Sequence, residues 1–378
     1  MISEIHNPIP ILYLCPHGDR AGAERMLDAL IRGHLKTETV CFQPKVICGT
    51  DGKFSQGLRT DSIPVEIHQM RLRSLFSSVA WLRLYLQANK IRLIHTTMAH
   101  YHQFAWLASR GLGVKCLWFN HGPCSARWWK GVAHTFPADA VVVEGKFIAE
   151  QHKGFTFSPK PHTIALGLEN YWFEKRPDLR TAKRAELGLA DTEFAIGILG
   201  RIEEWKRQHC FLDAISYLPP DIIANSHFFI AGEPSLGRGQ EYFHQLKQMH
   251  EIHPDRERIK ILGYVESESF LEAMDIVVHC AENDPFPVVI LESMAKEKIV
   301  IGSNSGGVTE MITSGNNGFI EDPTSSKNLA GVITKAILQN SILSEMRLAA
   351  KETVLTKFNS QRLVEEFEAL YCALVRTI

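Results

Sequence analysis

At 378 residues, 45% of them apolar, the chain exceeds one ordinary core and is ample for two, at about 100 to 200 residues per domain. The eight cysteines form no C-x-x-C pair and no metal-ligand spacing, and no window of about 18 residues lacks a charge, so reduced thiols in a cytoplasmic protein without a transmembrane helix are expected. The formal charge of -1, the isoelectric point near 7.0 and the lack of a recognised binding module argue against a nucleic-acid partner.

The chain opens with Glu4, Pro8 and Pro10 where a signal peptide needs a basic start and an unbroken apolar stretch, so export is not expected. Ile9 to Cys15 then reads as a strand, followed by a polar loop and a helical stripe of Met26, Leu27, Ala29, Leu30 and Ile31 between Gly22 and Gly33. Further strand-like runs lie at Val40 to Cys48, Ile91 to His95, Val114 to Phe119 and Ala140 to Val143, with helical stretches between them. Such alternation predicts a parallel, doubly wound sheet covered on both faces.

Residues 158 to 190 change character, with Pro159, Pro161 and Pro177 in a Lys- and Arg-rich segment that ends in a helical Arg180 to Gly188. This is the expected interdomain connection. A second alternating set follows at Phe194 to Leu199, His227 to Ala231, Ile259 to Leu262, Ile276 to Cys280 and Ile299 to Gly302, and an amphipathic helix over Gln361 to Leu374 closes the chain. Charge divides along the same line: residues 1 to 189 hold 24 Lys or Arg against 15 Asp or Glu, and the remainder 17 against 27. The basic half is suited to an anionic acceptor, a membrane surface or the acidic half, and plain drift in surface charge is the alternative. Two doubly wound domains in tandem predict ligand binding at the carboxyl ends of their strands, in an interdomain cleft.

Three segments of the second half carry candidate chemistry. Phe194 to Leu199 runs into Gly200-Arg201, and Lys206 follows five residues after the arginine at the start of a predicted helix; two fixed cations beside a helix N-terminus suit a diphosphate. Asp284 and Glu292 lie eight residues apart across a turn and an apolar helix start, so two carboxylates able to accept from sugar hydroxyls can face one cleft. The run Ile299 to Glu310 opens into Gly306-Gly307, where backbone amides can approach a phosphate unobstructed.

Each pattern also has an ordinary reading: loop-end bases, a helix-capping acid with a surface Glu, and a common strand-to-helix turn. Gly232 to Gly239 lacks the Lys-Ser/Thr of a phosphate-binding loop, and no G-x-G-x-x-G follows a predicted strand. A glycosidase acid pair at Asp284 and Glu292 would leave Arg201, Lys206 and the Gly-Gly turn without a role. His95, His100, His102 and His121 sit on two different strand ends and read as satisfied or ligand-contacting histidines, not metal ligands. Arg71 to Phe76, with Trp81, Arg83 and Tyr85, and Arg127 to Lys130 are basic and aromatic, suited to an anionic membrane or lipid-linked acceptor, with core packing as the alternative.

In order, GILGRIEEWKR, DPFPVVILESMA and SNSGGVTEM resemble the Gly-Arg loop, E-x7-E element and Gly-Gly-x-x-Glu turn of the retaining glycosyltransferases of family 4, glycosyl transferases group 1. The likeness extends to Ile261 to Val265, Met274 to Val278 and Arg180 to Leu189, covering most of residues 180 to 375, and more loosely to Ala21-Gly22-Ala23-Glu24-Arg25 and Asn120-His121-Gly122. Ala21, Leu166 and Asp284 depart from the family's Gly, Asn and Glu.

The resemblance implies an α/β GT-B fold of two Rossmann-like domains facing a cleft. The N-terminal, acceptor-binding domain would span 1–172 with a returning helix at 358–378, and the nucleotide-sugar domain 173–357. It further implies transfer from a UDP- or GDP-sugar to an acceptor hydroxyl with no cofactor and no metal. Arg201, Lys206, His121 and Asp284 would serve catalysis, and Gly200, Glu292, Gly306, Gly307, Val265 and Gly22 the donor. Peripheral contact with the cytoplasmic membrane face through the basic domain is a further expectation. A non-catalytic nucleotide-sugar-binding or partner subunit on the same fold is the alternative.

Overall fold

The computed structural model describes residues 8–19, 22–36, 41–122, 136–152, 159–322, 324–339 and 343–376. It divides into two compact units, residues 1–167 with 360–378, and residues 168–359.

The first unit is built on a seven-stranded parallel sheet: β1 (Ile9–Cys15), β2 (Phe42–Cys48), β3 (Val65–Ile67), β4 (Leu93–Thr96), β5 (Lys115–Asn120), β6 (Ala140–Val143) and β7 (His162–Thr163). Their order is β3-β2-β1-β4-β5-β6-β7, so the chain winds outward one way from β1 and then restarts at β4 on its other side. The central strands are buried on both faces, as covering helices require, which is why their sequences are continuous apolar runs and not alternating ones. The C-terminal helix Ser360–Val375 belongs here, with Leu363, Val364, Phe367 and Tyr371 buried. It crosses helix Gly22–Lys36 so closely that a Cβ on Gly33 would stand 2.2 Å from Val364 Cγ2, so only glycine fits at that crossing.

The second unit repeats the plan with six parallel strands: β8 (Phe194–Leu199), β9 (Ser226–Ala231), β10 (Ile259–Gly263), β11 (Ile276–His279), β12 (Ile299–Ser303) and β13 (Phe319–Glu321), in the order β10-β9-β8-β11-β12-β13. Helix Pro177–Leu187 leads into it, with proline in its first turn and Gly188 ending it in the left-handed region at φ 74°.

The expected strands are present, with ends that differ by one or two residues, and residues 37–40 lie outside the described set. Three strands, Val65–Ile67, His162–Thr163 and Phe319–Glu321, have no counterpart among the expected runs. Two or three residues are too few to carry a period, so hydrogen bonding to a longer neighbour defines them.

Candidate functional site

In a doubly wound sheet, ligands bind outside the carboxyl ends of the strands where the winding reverses. In the second unit that point lies between β8 and β11, and the chain leaving these strands carries Gly200 to Lys206 and Cys280 to Asp284. Two of the three segments singled out in the sequence therefore emerge from neighbouring strands.

Lys206 is not at a helix start. It ends a single 3₁₀ turn, Glu204–Lys206, and Arg207 in the left-handed region at φ 55° separates it from helix Gln208–Ile215. The Arg201 side chain is 68% exposed, touching only Glu203 at 3.3 Å among the described residues, whereas Gln208 Nε2 donates to the Arg201 carbonyl at 2.8 Å and ties the loop to that helix. Lys206 lies over the Trp205 indole, 4.3 Å from its centre, and its Nζ donates to Asp284 Oδ2 at 2.5 Å. The same carboxylate oxygen receives His279 Nε2–H at 3.0 Å from the last residue of β11.

Asp284 is buried, which by itself would raise its pKa. The His279 hydrogen bond and the Lys206 charge outweigh that burial and hold the carboxyl well below its usual range. Burial depresses His279 against the opposing pull of Asp284, so the imidazole is neutral near pH 7 and donates from Nε2. Asp284, expected to reach a sugar, thus spends one carboxylate oxygen orienting Lys206 and His279.

Replacing Asp284 by Asn is expected to cost about 1.5 to 3 kcal/mol at pH 7, the range of hydrogen bonds to charged groups. A depressed carboxyl contributes stability that is complete above its unfolded pKa of about 3.9 and lost as pH falls through the folded value. Urea unfolding should therefore show a gap between wild type and Asp284→Asn that is full at neutral pH and narrows below about pH 4. A gap of constant size down to acid pH would contradict the ion pair.

The Gly-Gly turn after β12 meets the same loop. Gly306 is in the left-handed region at φ 67°, and a Cβ there would stand 2.2 Å from the Asp284 carbonyl oxygen. A Cβ on Gly307 would stand 2.1 Å from the Pro285 carbonyl oxygen, and its amide donates to the Asp284 carbonyl at 2.8 Å. The glycines are therefore required by the packing of two loops, and the Gly307 amide, expected to meet a phosphate, is already occupied. The Gly306 amide has no acceptor among the described residues.

Glu292 is buried on helix Val288–Ala295, and Val265 is half-buried in the loop after β10. Gly200 has open space where a side chain would stand. Gly200, Arg201, Lys206, Asp284, Gly306 and Gly307 therefore share the loops at one end of the second sheet.

Gly22 and His121 belong to the first unit. Gly22 opens helix Gly22–Lys36, and Ala21 lies outside the described residues, as does Arg127 to Lys130. His121 follows β5, and its Nδ1 pairs with Glu144 Oε1 at 2.6 Å, just beyond β6. Phe119 packs on the imidazole with ring centres 4.1 Å apart, and the His121 Nε2 is buried with no hydrogen-bond partner among the described residues. His95 is a core histidine, fully buried and hydrogen-bonded through Nδ1 to Tyr371 Oη at 2.6 Å. His102 is satisfied by Thr96 Oγ1 and the Pro137 carbonyl. Among the described residues no group of three or more His, Cys, Asp or Glu could hold a metal ion.

His279, Trp205 and Glu144 escaped the sequence reading. Each acts by touching a residue that was singled out: Glu144 meets His121 because β5 and β6 are neighbours, His279 meets Asp284 across the turn that leaves β11, and Trp205 lies beside Lys206 in the same 3₁₀ turn.

Residues 180–353 match the family model described as glycosyl transferases group 1. Among curated proteins, N-acetyl-alpha-D-glucosaminyl L-malate synthase of Bacillus anthracis is 23% identical over 197 residues, 52% of this chain and 50% of that protein. D-inositol 3-phosphate glycosyltransferase of Geodermatophilus obscurus is 26% identical over 203 residues, 52% of this chain and 44% of that protein. The chain spans about half the length of the curated relatives it matches. Among solved structures, Anabaena Alr3699/HepE in complex with UDP-glucose is 23% identical, with a TM-score of 0.84 over 97% of this chain and all of that one. A glycosyltransferase from Rickettsia africae is 18% identical with a TM-score of 0.84, over 99% of this chain and all of that one. The likeness establishes the fold, two doubly wound units of GT-B type.

Proposed function

We propose that this chain, whose residues 180–353 match the glycosyl transferases group 1 model, transfers a sugar from a UDP- or GDP-sugar to an acceptor hydroxyl with retention of configuration. The observation that carries the reading is the position of Arg201 and Lys206, two cations on the loop leaving β8 at the point where the sheet reverses. The structures of Alr3699/HepE with UDP and with UDP-glucose add support for a nucleotide-sugar donor.

Glycosyl transfer passes through an oxocarbenium-like state while charge builds on the departing diphosphate, so cations at that position are the main need. Arg201 and Lys206 meet the diphosphate, and the Gly306 amide is a further donor to it. No metal enters this scheme. Lys206 reaches the phosphate by sharing or releasing Asp284, which keeps the ammonium oriented until the donor arrives. Glu292 takes the ribose hydroxyls, Gly200 and Val265 line the nucleotide side, and the first unit holds the acceptor, with His121 and Gly22 serving the donor sugar. The protein acts in the cytoplasm.

A ligand that binds only the native state raises the unfolding midpoint, by about 2.7 kcal/mol of added stability at a hundredfold excess over Kd. UDP or GDP is therefore expected to raise the midpoint, with ADP as comparison, and the matching sugar donor to release nucleotide when acceptor is present. Binding with no turnover of any common donor sugar would leave a non-catalytic nucleotide-sugar-binding or partner subunit as the function.

A further inference from the structure

Helix Leu75–Ala88 of the first unit buries Leu82 and Leu86 against the core, yet its outer side, where Ser77 and Gln87 are the exposed polar residues, also leaves large apolar side chains in the open. Phe76 is 89% exposed and Leu84 67%, and in the 3₁₀ turn Leu72–Ser74 that leads into the helix Leu72 is 64% exposed. Phe76, Ala80 and Leu84 follow one another at four-residue steps and form a single exposed stripe. A surface helix ordinarily turns polar residues outward, so apolar side chains on both faces mark a side that lacks its partner.

Charge identifies that partner. From Ile67 to Gly122 the chain holds seven Lys or Arg and no Asp or Glu. Arg71 and Arg73 flank Leu72, with the Arg71 guanidinium on the neutral Gln69 side chain. Arg83 donates to the Ala108 and Arg110 carbonyls. Among the described residues, none of Arg71, Arg73, Arg83, Lys90 and Arg92 forms an ion pair. A second copy of the same face would bring these cations together without compensation. An anionic bilayer instead takes apolar side chains at its acyl boundary and meets cations with its headgroups.

We propose that the turn Arg71 to Ser74 and the outer stripe of helix Leu75–Ala88 dock on an anionic lipid bilayer, with Leu72, Phe76 and Leu84 inserted and Arg71 and Arg73 among the headgroups. Trp81 stands beside this stripe, stacked on His68 with ring centres 3.6 Å apart, which stiffens the inner side of the helix. The docking surface stands apart from the transfer reading, because vesicle binding by the donor-free protein tests the first and nucleotide release tests the second.

The test is co-sedimentation of the full chain with vesicles of phosphatidylcholine alone or of phosphatidylcholine with phosphatidylglycerol, at about 0.05 M and about 0.5 M salt, since screening shortens as salt rises. Binding is expected only to the anionic vesicles and to weaken at the higher salt. Arg71→Gln with Arg73→Gln should lower the partition about tenfold or more, and Leu72→Ser with Phe76→Ser should abolish it even at low salt. Both pairs are exposed, so their unfolding midpoints should match wild type. Equal binding to neutral vesicles, or none to anionic ones, overturns the proposal. So does a dimer in light scattering that Phe76→Ser abolishes while vesicle binding is absent, which would give this face to a second copy.

Discussion

Lys206→Ala is expected to lower kcat by about a hundredfold or more, the loss seen when one preorganised charge contact to a transition state is removed. Arg201→Ala should act in the same direction, but the two differ in what else they disturb. The Arg201 side chain is exposed and pairs with Glu203, and the Gln208 bond goes to its backbone carbonyl, so Arg201→Ala should leave the fold intact and stability near wild type. Lys206 holds a buried carboxylate, and without it Asp284 keeps only the His279 hydrogen bond on that oxygen. The Asp284 pKa should then rise towards the ordinary carboxylate range, because the Lys206 ammonium helps to offset the effect of burial. Lys206→Ala is therefore expected to be both slow and less stable, and Arg201→Ala slow alone. Lys206→Met keeps side-chain volume beside Trp205 but loses the charge and the bond to Asp284, so it should be slow and less stable as Lys206→Ala is, and any stability it retains over Lys206→Ala reports the packing on Trp205. Wild-type turnover in both Arg201→Ala and Lys206→Ala would remove the diphosphate site.

The longer strands of both sheets were legible because a parallel sheet covered on two faces demands long apolar runs, and Phe194 to Leu199 and Ala140 to Val143 are delimited by the same residues in sequence and structure. The loops were legible as residue types in order but not as geometry. Lys206 and Asp284 lie 78 residues apart, and nothing in either segment indicates that they share a bond. Strand order makes the pair, because β8 and β11 are neighbours only after β9 and β10 have wound out on the other side. Gly306-Gly307 shows the opposite limit, where the residue type was right and its reason incomplete. The glycines answer to the carbonyls of Asp284 and Pro285, a close approach that no local pattern reports. His95 likewise lies one residue before the end of β4, close to where its sequence position suggests, but Tyr371 of the C-terminal helix satisfies it inside the core.

That helix carries a second large effect. A chain ending at Asn359 would lose Leu363, Val364, Phe367 and Tyr371, all buried in the first unit. At about 1.5 to 3 kcal/mol for each buried apolar side chain, the loss is roughly 6 to 12 kcal/mol as an upper estimate. A whole domain is stable by only about 5 to 15 kcal/mol. Polar contacts are lost as well: Tyr371 Oη leaves the buried His95, Glu368 leaves His34, bound at 2.8 Å, and Arg362 leaves the Ala165 and Leu166 carbonyls. The truncated chain should lose the cooperative unfolding transition of its first unit, be cleaved by protease within residues 8–122 and sediment as aggregate. Tyr371→Phe keeps the packing and removes one hydroxyl, so it should cost only about 1 to 3 kcal/mol and leave the transition cooperative. A truncated chain that unfolds cooperatively at the wild-type midpoint would show that the helix is not part of this core. A small loss in Tyr371→Phe beside a large loss on truncation would locate most of the stabilisation in the apolar contacts with helix Gly22–Lys36 and less of it in the His95 network.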